Sequence, residues 1–434
     1  MNEVVKGLFE FIEKSPSQFH AVENERLEFL QAGFEELSES KKWDIKLGHN
    51  YFVTRNGSSI IAFKMPESTV KSYMIMASHT DSPSLRIKES PEMKEGHYVK
   101  LNTEKYGGML MAPWFDRPLS IAGRVIIRNK TGFSTRLLDF DRDLCMLPSL
   151  AIHMNREAND GYKYNAQTDL LPLISMEEDF NLKELVAKEL SVKSDDIIGS
   201  DLFLYNREPG RVWGANDEFI SCRRLDDLQC SYSSMKALLD ANNSKTAVQM
   251  HATFDNEEVG SGTKQGADST FLYDTLVRIN EAMGGNNASL LAAIANSFMV
   301  SADNAHALHP NYPGKSDPTN KVYMNEGLVI KFSANQKYMT DGLAYAVFTE
   351  ICKKADVPYQ TFLNRSDVPG GSTLGNISNA HVSINGVDIG LPQLAMHSCF
   401  ETAGVKDTEY LLKAATKFFE TVIENESGSD YTLE

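Results

Sequence analysis

The stretch from residue 226 to residue 303, DDLQCSYSSMKALLDANNSKTAVQMHATFDNEEVGSGTKQGADSTFLYDTLVRINEAMGGNNASLLAAIANSFMVSAD, holds four apolar runs whose period alternates. Residues 227–240 and 268–283 carry apolar side chains at helical spacing, whereas 247–254 and 298–302 are short apolar runs of strand length. Strands separated by helices cannot be joined by tight hairpins, so the alternation predicts an α/β domain with a mixed, largely parallel sheet flanked by helices. Acidic residues begin and end the stretch, and Asp255-Asn256-Glu257-Glu258 directly follows its first strand. Open α/β sheets place functional groups at that end of their strands.

Upstream, residues 4–13 and 19–31 show helical spacing, with Gly33 placed to end the second helix. Residues 51–65 alternate around Asn56-Gly57, a hairpin signal, and lead to the buried-strand run 73–77. Between about residues 91 and 211, Gly, Pro and polar turns separate short extended runs such as 123–128, with one helical stretch at 182–190. This predicts an inserted β-rich second domain at 91–211, splitting a catalytic domain into 1–90 and 212–434. Downstream, the α/β pattern continues through 327–333, 342–354, 359–363 and a final helix at 408–424.

With 434 residues, 42% apolar and 24% charged, the composition is that of an ordinary globular protein. The net charge of −16 argues against nucleic acid and anionic membrane surfaces as partners, since both demand a basic footprint. The most apolar stretch, 290–302, falls short of the roughly 20 residues that cross a bilayer and contains Asn296 and Ser297. No positive segment followed by an apolar one opens the chain, so no secretion signal is expected. Five cysteines without paired spacing fit reduced thiols. Together these predict a cytoplasmic protein.

The chemistry lies in five segments. His79, just after an apolar strand, has Asp81 two positions on, and a metal-bound imidazole commonly has its other nitrogen held by a carboxylate. Glu257 and Glu258 follow Asp255, a like-charge crowd that is costly unless cations neutralise it. Asp226 is either a helix cap or a ligand. Asp303 ends a buried strand and is followed by Asn304, His306 and His309; His397 lies between Pro392 and Gly404. Two histidines and three carboxylates suit zinc, manganese or cobalt, and a shared carboxylate can hold two ions about 3.5–4 Å apart.

The sequence resembles the aspartyl aminopeptidase family, which includes vacuolar aminopeptidases and belongs to the dinuclear zinc exopeptidases. The resemblance rests on His79-Thr80-Asp81-Ser82-Pro83, Arg224-Leu225-Asp226, Phe254-Asp255-Asn256-Glu257-Glu258-Val259-Gly260-Ser261, Ser301-Ala302-Asp303-Asn304-Ala305-His306, His309-Pro310-Asn311-Tyr312 and Gln393-Leu394-Ala395-Met396-His397-Ser398. It implies that His79 and Asp303 hold one ion, Glu258 and His397 the other, and that Asp226 bridges them. It also implies Glu257 as general base, with Asp81 beside it in the catalytic apparatus through His79.

The resemblance places Lys331, His306 and the Gly370-Gly371-Ser372-Thr373 loop with the substrate. It implies that His153, within the strand-like run Ser149-Leu150-Ala151-Ile152-His153, reaches a neighbouring subunit's active site. A dodecamer built from dimers, peptide substrates with free N-termini and two divalent ions, zinc first and cobalt or manganese as alternatives, complete the expectation. Two rival readings follow from the same residues: a metal-dependent carboxypeptidase or deacylase, and an idle peptide-binding scaffold. Activity on N-acetylated peptides marks the first, and the intact Glu257 speaks against the second.

Overall fold

The computed structural model describes residues 2–425, 428 and 430–433. Among them, the largest sheet has nine strands in the order Glu35–Leu37, Asn50–Arg55, Ser59–Lys64, Ala247–Phe254, Ser72–His79, Phe298–Ala302, Asn385–Gly390, Leu328–Lys331 and Tyr359–Phe362. Its centre, from Ala247–Phe254 to Asn385–Gly390, is parallel throughout, and antiparallel pairs occur on either side. The sheet is therefore mixed and largely parallel, as the alternating periods predict.

Both faces of the central strands are covered, which is why they read as continuous apolar runs. Along Ser72–His79, Met74 and Met76 join a core with helices Glu3–Glu13, Leu225–Asp240 and Asp407–Glu420. The alternate residues Tyr73, Ile75 and Ala77 join a second core under Phe271–Ala282 and Asn287–Ala295. The hairpin forms where Asn56 (φ 60°) and Gly57 (φ 66°) take up left-handed backbone, which these two residue types tolerate best.

A second, fully antiparallel sheet runs in the order Gly132–Asp139, Leu119–Asn129, Ile197–Asn206, Ser84–Glu95, Tyr98–Tyr106 and Leu173–Ser175. It has its own core, including Leu85, Leu101, Trp114, Ile121, Val125 and Leu204. The strand Ser84–Glu95 runs through residue 91, and residue 211 already belongs to a third sheet. We therefore propose that the insertion comprises residues 84–206.

That third sheet, not anticipated from the sequence, joins Arg211–Trp213, Phe219–Cys222, Glu401–Gly404, Pro392–Leu394 and Ala305–His306. Two local expectations are corrected. The final helix ends at Glu420, and the β-branched run after it pairs as Ile423–Asn425 with Tyr431–Leu433. Residues 149–153 form no strand: His153 sits in an exposed turn in which Met154 donates to the Ala151 carbonyl at 2.8 Å, with Leu150 and Ile152 facing solvent.

Candidate metal centre

Parallel strands in register end together, and this gathers residues from distant parts of the chain. Phe254 pairs with His79, and Ser301 with Ala77, so His79, Asp255–Glu258 and Asp303 all emerge on one edge of the sheet. Asp226 arrives from the start of helix Leu225–Asp240, where Arg224 is left-handed (φ 56°) and Asp226 and Asp227 depart from helical angles. Asp226 is not the helix cap that the bland reading allows: its amide donates to Glu401 Oε2 at 3.0 Å and its carboxylate turns into the cluster. The turn is braced by the half-buried Arg224 guanidinium, which donates to the Thr80 carbonyl at 2.5 Å and to the Ser15 carbonyl. His397 comes from the loop after Pro392–Leu394.

The carboxylate of Asp226 faces both histidines. Its Oδ1 lies 3.4 Å from His79 Nε2, and its Oδ2 lies 3.7 Å from His397 Nε2. Asp303 Oδ1 is 3.9 Å from the same His79 nitrogen, while Glu258 Oε2 is 3.3 Å from that of His397. Two triads result, His79–Asp226–Asp303 and Asp226–Glu258–His397, each with its donor atoms within 4.8 Å of one another. A third grouping, His79–Glu257–Glu258, brings Glu257 to the same edge. Asp226 Oδ1 and Glu258 Oε1 are buried without a hydrogen-bond partner, so the site offers lone pairs that only a cation or proton would satisfy. This donor set fits divalent metal.

Electrostatics agree with the geometry. Burial first, then the carboxylates of Asp303, Asp81 and Asp226, pushes Glu257 up to about 8 despite the opposing effect of His79. Burial and Asp226 drive Glu258 well above its ordinary range. For Asp226, burial is outweighed by the closeness of the His79 imidazole, which holds it low. His79 is raised well above the usual imidazole value, because Asp226 and Asp81 outweigh its burial. A cluster that must gather protons to stay neutral is one that divalent cations stabilise.

Several supporting residues escape sequence reasoning. His79 Nδ1 bonds to the backbone carbonyl of Asp81 at 3.1 Å, with the Asp81 carboxylate at 3.4 Å. The two carboxylate oxygens of Asp81 instead accept from the amides of Glu257 and Glu258, at 3.1 and 3.2 Å. Tyr106, from the inserted sheet, donates to Asp81 Oδ2 at 2.7 Å and accepts from Asn256 at 2.8 Å. Next to it, Gly108 offers its carbonyl to His397 Nδ1 at 2.9 Å, and a Cβ on Gly107 would lie 3.2 Å from that of Glu258. Asn304 and Gln393 are linked at 2.9 Å, and Gln393 reaches Asp226 Oδ2 at 3.4 Å. Apart from the His79–Asp81 pair, which the sequence announces, these contacts join residues 25 to 289 positions apart, and no local pattern signals them.

The residues expected near substrate divide. Lys331 does not snorkel to solvent: its ammonium is buried, donates to the Asn304 carbonyl at 2.9 Å and lies 3.8 Å from Asp303 Oδ2. His306 is exposed beside Phe362, with ring centroids 6.2 Å apart. Gly371 is exposed and a Cβ there would meet nothing within 4 Å, so the loop leaves open space. His153 is not in the cluster.

The family model described as aminopeptidase I zinc metalloprotease (M18) matches residues 11–419. A probable M18 family aminopeptidase 2 of Clostridium acetobutylicum is 47% identical over 427 residues, covering 96% of this chain and 98% of its own length. Among solved structures, a chain from the complex of Ape4 and Nbr1 superposes with a TM-score of 0.92 at 37% identity, over 96% of this chain and 85% of that one. The mApe1 dodecamer of S. cerevisiae gives 0.85 at 26% identity, over 96% of both. With a matching family model over nearly its whole length and a centre built of metal-binding donors, the chain belongs to the aminopeptidase I (M18) family of zinc metalloproteases and is a metal-dependent aminopeptidase.

Proposed function

We propose that this enzyme works with two divalent ions and that Glu257 moves the proton. The observation that carries the reading is Asp226, whose two oxygens face separate histidines at 3.4 and 3.7 Å, as a bridging carboxylate requires. His79 and Asp303 would hold one ion, Glu258 and His397 the other, with Asp226 shared. Bound there, two ions of zinc, or of cobalt or manganese, supply Lewis acidity at the scissile carbonyl and the attacking water.

The protein's part is positioning and proton transfer. Glu257, beside the ligands but not one of them in this reading, takes a proton from water and passes it to the leaving amine. Asp81 fixes the Glu257 amide and the His79 ring, so its role is indirect. The substrate's free α-amino group would bind near the second ion and the acidic residues beside it, an anchor that selects free N-termini. An acidic first side chain would find Lys331 as counter-charge, shared with Asp303, near the open Gly371 loop and His306.

By analogy with the S. cerevisiae dodecamer, we propose the same assembly, with the exposed His153 turn reaching a neighbour. No helix among the described residues is long and apolar enough to cross a membrane. The five cysteines are buried and unpaired, which supports a reducing, cytoplasmic setting.

A panel of amino-acyl chromogenic substrates, free and N-acetylated, assayed after chelation and metal re-addition, tests the reading. Turnover should vanish on chelation, return at two equivalents of metal and be absent on blocked substrates, with acidic residues preferred. Activity that survives metal removal, or that returns fully at one equivalent, contradicts it.

A further inference from the structure

Glu401 is a fully buried acid that the metal reading does not use. It lies outside every metal-binding grouping of the described residues, yet it touches both sides of the centre. Its Oε2 accepts the amide of Asp226 at 3.0 Å, and its Oε1 accepts the amide of His397 at 2.8 Å. Every one of these partners is an N–H donor, an environment matched to a two-oxygen acceptor.

Sheet topology explains how one side chain reaches both segments. In the third sheet Glu401–Gly404 is the middle strand of a trio, antiparallel to Phe219–Cys222 on one side and to Pro392–Leu394 on the other. The ends of both neighbours therefore meet at the beginning of the middle strand, where Cys222 pairs with Glu401 and Leu394 with Thr402. Four residues after Cys222 comes Asp226, and three after Leu394 comes His397. A carboxylate at the first position of the middle strand is the shortest tie between the two turns.

Resting on the two-ion reading above, we infer that Glu401 is a positioning residue that fixes the separation of Asp226 from His397 and thereby the half-site of Asp226, Glu258 and His397. His79 and Asp303 have no bond to it; they are placed by strand ends of the main sheet. Asp226 is shared and His397 is not, so loss of Glu401 should weaken the ion of Asp226, Glu258 and His397 more than the ion of His79 and Asp303.

The experiment is metal counting by native mass spectrometry during titration of the zinc-loaded enzyme with a competing chelator. Glu401→Gln keeps size but turns one acceptor into a donor facing a backbone N–H. Glu401→Asp keeps both acceptors on a shorter arm and serves if the first variant does not fold. Wild type should hold two zinc ions per chain. The variants should lose one ion at about 10- to 100-fold lower chelator and the second at a concentration much closer to that of wild type. Equal retention of both ions in a folded variant, or equal loss of both, overturns the inference. Fewer than two ions in wild type overturns the two-ion reading instead.

Discussion

At the level of single residues, the centre is a problem of excess negative charge solved by geometry. Glu257 differs from Glu258 by one position, yet both lie in the 3₁₀ turn Glu257–Val259, where successive side chains point about 120° apart: Glu258 lies 3.3 Å from His397, and Glu257 points elsewhere, with burial pushing its carboxyl up to about 8. Glu257→Gln keeps shape and removes the proton acceptor. It should lower kcat by ~10²–10⁴-fold while the affinity for a non-hydrolysed substrate analogue stays the same, as read by steady-state kinetics and calorimetry. A variant retaining most of its turnover would remove Glu257 from the reaction. Tyr106 acts one step further out, through Asp81. Tyr106→Phe retains the ring packing on Phe203 and should lower zinc affinity by about 10-fold in a chelator competition, with little change in unfolding temperature. Unchanged affinity would make its hydroxyl merely structural.

At the level of elements, the central strands both carry the ligands and hold the two cores apart. Phe298 opens the strand that leads to Asp303, is almost fully buried and packs 6.3 Å from the Phe418 ring of the last helix. Phe298→Ala should cost about 3–5 kcal/mol, because the lost transfer free energy is joined by a cavity between sheet and helix. Denaturant melts at fixed zinc and protein concentration measure this, and a cost below about 1 kcal/mol would mean that the site collapses without a void. Helices Leu225–Asp240 and Phe271–Ala282 and strands Ala247–Phe254 and Phe298–Ala302 were legible from period, whereas helix Asn287–Ala295, with apolar residues on most of its circumference, was not. The 149–153 run was not legible, because apolar residues there have no strand to pair with and project into solvent. The third sheet was equally hidden, since its strands are two to four residues long and lie far apart in sequence.

For the whole molecule, stability depends on acids that the fold buries. Asp407, at the start of the last helix, accepts from Asn325 at 2.9 and 3.1 Å, and burial pushes it up to about 7 against those bonds. The unfolded chain releases this proton near pH 3.9, the folded chain only near 7, so the folded state binds more protons in between. Its contribution is present at low pH and is lost as pH rises through that window. Asp407→Asn should therefore flatten the fall in unfolding temperature between about pH 5 and pH 7.5 relative to wild type, in melts at constant metal. Parallel curves would show that Asp407 does not titrate there.

The α/β class follows from residue order without any tertiary contact, because periods of 2 and 3.6 are local properties of neighbouring residues. Residue identity also determines which positions could bind metal, because ligand chemistry belongs to the side chain. Tertiary structure alone decided which of them meet. Parallel register aligned His79 with Phe254, a short third sheet brought Glu401 between Asp226 and His397, and the inserted sheet laid Tyr106 on Asp81. Such contacts depend on distances between chain segments far apart, which no local pattern encodes.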